Sequence, residues 1–152
     1  MQALKNLLTK DTILLQATAR DWREAIRLGG ELLVRVGAVT PAYVEAMIRF
    51  TEEFGPYIVI APGLALPHAR PEEGVLRLGF SLVTLKTPVE FGIEYNDPVD
   101  VLFCMGAPDK EAHIEALRQV ATLCSNADYF HRIREAKEIE EILGLLNQLD
   151  LQ

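Results

Sequence analysis

The sequence predicts a layered α/β fold around a mixed sheet, and three observations carry the prediction. Apolar residues recur at helical spacing from Leu4 to Phe54, short runs rich in Val, Ile, Leu and Phe fill the middle, and helical spacing returns from Asp109 onward. A chain of 152 residues buries about two-thirds of its unfolded surface when it folds as one domain. No internal repeat, low-complexity tract or Gly/Ser linker divides it, so residues 1–152 are read as a single domain with four or five strands.

Each element has a local cause. Leu4, Leu7 and Leu8 give a short N-terminal helix, and Thr12-Ile13-Leu14-Leu15 is a compact β-prone run. Asp21 is placed to cap a helix whose apolar face is Trp22, Ala25, Ile26, Leu33 and Val36, ending at Gly37. Thr40-Pro41 repeats the start signal, with Tyr43, Met47, Phe50 and Phe54 on one face and Gly55-Pro56 as the stop. Tyr57-Ile58-Val59-Ile60 and Leu64-Ala65-Leu66 read as extended segments around the turn Ala61-Pro62-Gly63, and residues 70–74 as a polar loop. Residues 78–85 and 99–105 are stronger strands, with Val89-Glu90-Phe91 a short separate one and Asn96-Asp97-Pro98 a turn. Beyond Asp109 the chain reads as helix, with Ile114, Leu117, Ala121 and Cys124 on the first inward face.

Composition excludes several functions. Fifteen Lys+Arg against 22 Asp+Glu give a net charge of -7, a field that repels polyanions, so no nucleic-acid partner is expected. No P-loop or dinucleotide-binding glycine motif occurs, and no Gly-x-Ser-x-Gly elbow. His68, His113 and His131 have no metal-ligand spacing, so neither a metal nor a cofactor is expected. Cys104 and Cys124 form no CxxC pair, and their apolar neighbours mark them as buried thiols in a reducing compartment. The N-terminus lacks a signal-peptide core, and the charge-free stretch from Phe54 to Ala69 is proline-broken and shorter than the ~20 residues of a membrane helix. The expected location is the cytoplasm.

One segment remains as a candidate site. Pro67 drives Leu66 toward extended backbone, ends the apolar run, and sets His68 immediately beyond it, with the permanent cation Arg70 two residues on. An imidazole nucleophile beside a guanidinium suits the capture of an anion. Taken alone, the Pro-His step fits a turn-capping histidine better than a nucleophile.

The peptide Gly63-Leu64-Ala65-Leu66-Pro67-His68-Ala69 resembles the active-site signature of the mannitol/fructose-type enzyme IIA components of the phosphoenolpyruvate-dependent sugar phosphotransferase system. Pro41-Ala42-Tyr43-Val44-Glu45-Ala46-Met47, Lys86-Thr87-Pro88-Val89-Glu90-Phe91, Asp97-Pro98-Val99 and His113-Ile114-Glu115-Ala116-Leu117-Arg118-Gln119 are similar to the same family. Residues 57–63 leading into Pro67-His68-Ala69-Arg70-Pro71 look most like its ascorbate-specific branch.

The resemblance implies a three-layer α/β/α sandwich around a small mixed sheet and the role of a phosphocarrier needing no cofactor. The histidine matching His68 accepts a phosphoryl group from phosphorylated HPr and passes it to a cysteine of enzyme IIB, which serves the membrane component enzyme IIC in sugar uptake. His113 matches the family's second active-site histidine, and its place near a helix N-terminus independently favours contact with an anion. Arg70 is the candidate phosphate clamp, matching an arginine of the ascorbate branch. The mannitol branch instead carries its functional arginine on the helix before the active-site strand; Arg49 lies on that helix, but the following connection is about two residues longer, so Arg49 stays outside the candidate set. Two alternatives share these residues: a nitrogen-type regulatory enzyme IIA that controls other proteins, and a binding domain in which His68 never carries phosphate.

Overall fold

The computed structural model describes residues 2–150, with side chains from Leu4 to Leu149. Its strands are β1 (Ile13–Ala17), β2 (Val59–Ala61), β3 (Leu64–Ala65), β4 (Gly79–Val89) and β5 (Val99–Gly106). Its helices are α1 (Gln2–Leu7), α2 (Trp22–Arg35), α3 (Pro41–Phe54), α4 (Lys110–Ser125), α5 (Ala127–Glu135) and α6 (Ile139–Asp150), with a single 3₁₀ turn at Pro71–Glu73. The sheet order is β1-β4-β5-β3-β2. β1 and β4 run parallel, β4 and β5 antiparallel, β5 and β3 parallel, and β3 and β2 antiparallel. The sheet is therefore mixed.

Strand periodicity sends successive side chains to opposite faces, and both faces are apolar because both are covered. Val83, Leu85, Leu102 and Cys104 pack under α2 and α3 against Ile26, Leu33, Tyr43 and Met47. Phe80, Leu82, Val101, Phe103 and Met105 face the other way, against Leu4 and Leu8 of the N-terminal segment, Val120 and Leu123 of α4, Ile133 of α5, and Ile142 and Leu145 of α6. Two cores flank one sheet, which is the three-layer α/β/α sandwich.

The helix boundaries follow from the caps. The Asp21 carboxylate accepts from Glu24 N at 2.9 Å, and Asp109 from Ala112 N at 2.8 Å. Thr40 stands at the predicted N-cap of α3, but its hydroxyl makes no capping bond. Its side chain lies against Gly74 so closely that no Cβ fits there.

Two expectations are corrected. Val89-Glu90-Phe91 is not a separate strand: β4 runs on to Val89, its ladder irregular between Thr84 and Val89. Lys86, Thr87 and Pro88 are the exposed part of one long strand, so their polarity marks solvent and not a turn. On α4 the buried residues are Ala116, Gln119, Val120 and Leu123, while Ile114 and Ala121 are exposed. The polar Gln119 is buried because its Oε1 accepts from Leu4 N and its Nε2 donates to Glu115, an arrangement that apolar periodicity does not reveal.

Candidate active site

Strand direction assembles the site. β3 and β5 are parallel, so their C-terminal ends leave the sheet on the same edge, where open α/β sheets present ligand sites. β3 runs into Leu66, Pro67 and His68; β5 runs into Ala107, Pro108 and the start of α4, which carries His113. Gly63 closes the β2–β3 hairpin at φ +79°, a conformation L side chains resist. Leu66 N then donates to Ile58 O at 2.7 Å, and Met105 N to Pro67 O at 3.0 Å, so the chain is held by both neighbours up to the histidine.

The two histidine rings meet with centroids 4.9 Å apart at an interplanar angle of 66°. Phe50 of α3 covers His68 from the other side at 5.9 Å. They line a cleft of about 350 Å³ that also receives Arg70, Asp109 and Lys110. His68 Nδ1 lies 2.7 Å from Leu66 O. A carbonyl oxygen only accepts, so Nδ1 holds the proton and Nε2 keeps its lone pair. Burial pushes the His68 pKa below its ordinary value, the bond to Leu66 works against that shift, and the nearby His113 lowers it again. The ring is consequently neutral near pH 7.

The structure brings together the three residues singled out from sequence. His68 is half-buried, His113 is beside it, and exposed Arg70 lines the same cleft, its guanidinium making no hydrogen bond or ion pair to any described residue. One detail differs for His113. It is the fourth residue of α4, and its own N–H is already bonded to Asp109 O, while the Asp109 carboxylate occupies Ala112 N. Of His113 only the side chain, and not its backbone N–H, is open to a ligand in the cleft.

Sequence reasoning missed Phe50 and Lys110. Phe50 shares the apolar face of Tyr43 and Met47 but lies at its open end, which spacing alone does not distinguish from core; Lys110 follows the Asp109 cap and offered no signal beyond its charge. Arg49 faces an adjoining depression shared with Phe50 and Arg70, where it pairs with Glu73 at 3.1 Å. His131 is exposed on α5, away from the cleft. Burial pushes the Cys104 and Cys124 thiols up to about 12, so neither supplies a thiolate near neutrality. Among the described residues no group of three or more His, Cys, Asp or Glu could hold a metal ion, and no helix is long and apolar enough to cross a membrane.

A five-stranded α/β/α sandwich with two histidines at one sheet edge defines the class, and comparison with known proteins gives the family. The sequence model of the family described as "Phosphoenolpyruvate-dependent sugar phosphotransferase system, EIIA 2" matches residues 6–149. The chain belongs to that family and is a phosphotransferase component of the sugar phosphotransferase system. It is 46% identical over 149 residues to the ascorbate-specific EIIA component of Escherichia coli K12, covering 97% of each chain. Among solved structures, a PTS IIA from Streptococcus mutans is 40% identical with a TM-score of 0.86, covering 97% of this chain and 92% of that one. The mannitol enzyme IIA from Escherichia coli, solved in complex with phosphorylated enzyme IIB, is 28% identical with a TM-score of 0.82, covering 93% and 99%. The resemblance of the chain to the ascorbate branch is borne out by the first of these relatives.

Proposed function

We propose that His68 is the phosphoacceptor of a relay that takes phosphate from phosphorylated HPr and passes it to a cysteine of enzyme IIB, serving uptake of ascorbate through the membrane enzyme IIC. The observation that carries this reading is the Nδ1–H bond to Leu66, which leaves Nε2 without a partner among the described residues, on a ring that lines the cleft with His113 and with Arg70 and Lys110, two cations whose side chains are unpaired among the same residues. In the first step the Nε2 lone pair forms a bond to phosphorus while the donor's bond to phosphorus breaks, and the donor leaves with the electron pair. In the second, the thiolate of enzyme IIB attacks the same phosphorus and the P–N bond returns its electrons to Nε2. Charge in such a loose transition state spreads over the equatorial oxygens, so the chain's task is alignment and positive potential. Arg70 acts as the clamp on those oxygens, and His113 donates a hydrogen bond to them. The partner enzyme IIB is supported by the mannitol relative solved with its own enzyme IIB, and ascorbate by the relatives of that specificity.

Incubation with enzyme I, HPr and labelled phosphoenolpyruvate tests this directly. Wild type should take up acid-labile, base-stable label, as a phosphoramidate does, and His68→Ala should take up none. Label that survives in His68→Ala, or that resists acid, would remove His68 from the role.

A further inference from the structure

Tyr43 is fully buried on α3, yet its hydroxyl is not inert. It accepts from the backbone N–H of Ala69 at 2.9 Å and donates its single proton to Met105 O at 2.8 Å, with Ala69 O farther off at 3.2 Å. Met105 spends its other backbone group on the same loop, since Met105 N donates to Pro67 O at 3.0 Å. The residue before His68 and the residue after it are thus both tied to Met105, one directly and one through the tyrosine. Packing does not require this oxygen, because a phenylalanine fills nearly the same volume. Burial holds the Tyr43 hydroxyl protonated far above neutral pH, so it is always available to donate and accept together.

We propose that Tyr43 is a positioning residue for phosphoryl transfer: its hydroxyl couples Ala69 to Met105 and thereby aims the His68 ring, keeping Nδ1–H on Leu66 O and Nε2 in the cleft. The kinetic consequence rests on the reading of His68 as phosphoacceptor; the geometric consequence does not. Reactions that depend on alignment lose about tenfold to a hundredfold in rate when the reacting atom is misplaced by an ångström.

The test is Tyr43→Phe, which removes the oxygen and leaves the ring. In wild type, ring ¹⁵N spectra of unphosphorylated protein should show His68 as a single Nδ1–H tautomer; in Tyr43→Phe a mixture of tautomers should appear. Phosphorylation by phosphoramidate, a donor too small to need a docking surface, should slow by about tenfold or more. Ile142→Val, which thins the core on the opposite face of the sheet, should change neither. Hydrogen exchange on wild type adds a measurement independent of how well the variant folds: the Ala69 amide should be protected although its loop borders solvent. A rapidly exchanging Ala69 amide, a wild-type tautomer and rate in Tyr43→Phe, or an equal slowing in Ile142→Val would each overturn the proposal. Absence of phosphorylation in wild type would sink the phosphocarrier reading, while the tautomer spectra would still decide whether Tyr43 aims the His68 ring.

Discussion

The His68 and His113 rings sit edge to face with centroids 4.9 Å apart, each delivered by the end of a different parallel strand. Burial lowers the His68 pKa and the neighbouring His113 ring lowers it further, so the arrangement favours a neutral His68.

Removing His113 should act on His68 in two ways with one sign. His113→Ala removes the coulombic influence of the neighbouring ring and opens His68 to water, and both changes should raise the His68 pKa, which an NMR titration will show. The nucleophile persists, so the variant should still accept phosphate but pass it to enzyme IIB about 10²- to 10³-fold more slowly. His113→Gln keeps a hydrogen-bond donor without the charge and should fall between the two. Unchanged single-turnover transfer in both variants would leave His113 without a catalytic part.

Stability should depend on pH through His68. Its folded pKa lies below the unfolded value of about 6.5, so below that pH the unfolded chain binds the proton more readily than the folded one. Folding free energy is therefore unpenalised above about pH 6.5, falls as pH drops toward the folded pKa, and levels off below it. Urea unfolding of His68→Ala should lack that component of the slope below about pH 7. A slope identical to wild type would mean the ring is as free to protonate as in an unfolded chain.

Arg70 and Arg49 should separate cleanly. Arg70 lines the His68 cleft unpaired, whereas Arg49 is held by Glu73 in the adjoining depression. Arg70→Gln should slow phosphoryl transfer without changing the melting temperature, because the exposed side chain has no partner among the described residues to lose. The Arg49–Glu73 pair is about half exposed on both sides, and such pairs contribute about 0–1 kcal/mol, so Glu73→Gln should barely alter stability. Transfer rates that fall in Arg49→Gln and not in Arg70→Gln would reassign the clamp.

Most of the frame was legible from caps and breakers. Asp21, Pro41, Gly55 and Asp109 fix helix ends within a residue because each acts locally. What failed were inferences needing a tertiary partner: the inward face of α4 turns on Gln119, buried by its bond to Leu4, and the reach of β4 turns on Val99 pairing with Val89. The site divides similarly. Pro67 and Arg70 around His68 were readable in one peptide, but His113 meets it only because β3 and β5 are parallel and adjacent, and no spacing rule encodes that. The tautomer of His68 and the tie through Tyr43 needed coordinates outright, since both involve backbone carbonyls and amides that every residue possesses.

The sheet's contact with α2 yields the last prediction. Gly29 lies at the crossing of α2 over β4 and β5, where its carbonyl accepts from Ser81 Oγ at 2.8 Å. A Cβ at Gly29 would run into Cys104 Sγ and come within 3.1 Å of Ser81 Oγ. On an exposed helix Gly→Ala gains about 1 kcal/mol, but here overpacking, about 1–3 kcal/mol, should dominate and make Gly29→Ala destabilising. Cys104→Ala alone should also destabilise, by leaving a void the size of a thiol. The double variant places one methyl where the sulfur was, so its loss should be smaller than the sum of the two single losses, with a coupling of about 0.5–3 kcal/mol in urea unfolding. Additive losses would mean that α2 slides to absorb the methyl, and that this glycine is not what sets the height of the helix above the sheet.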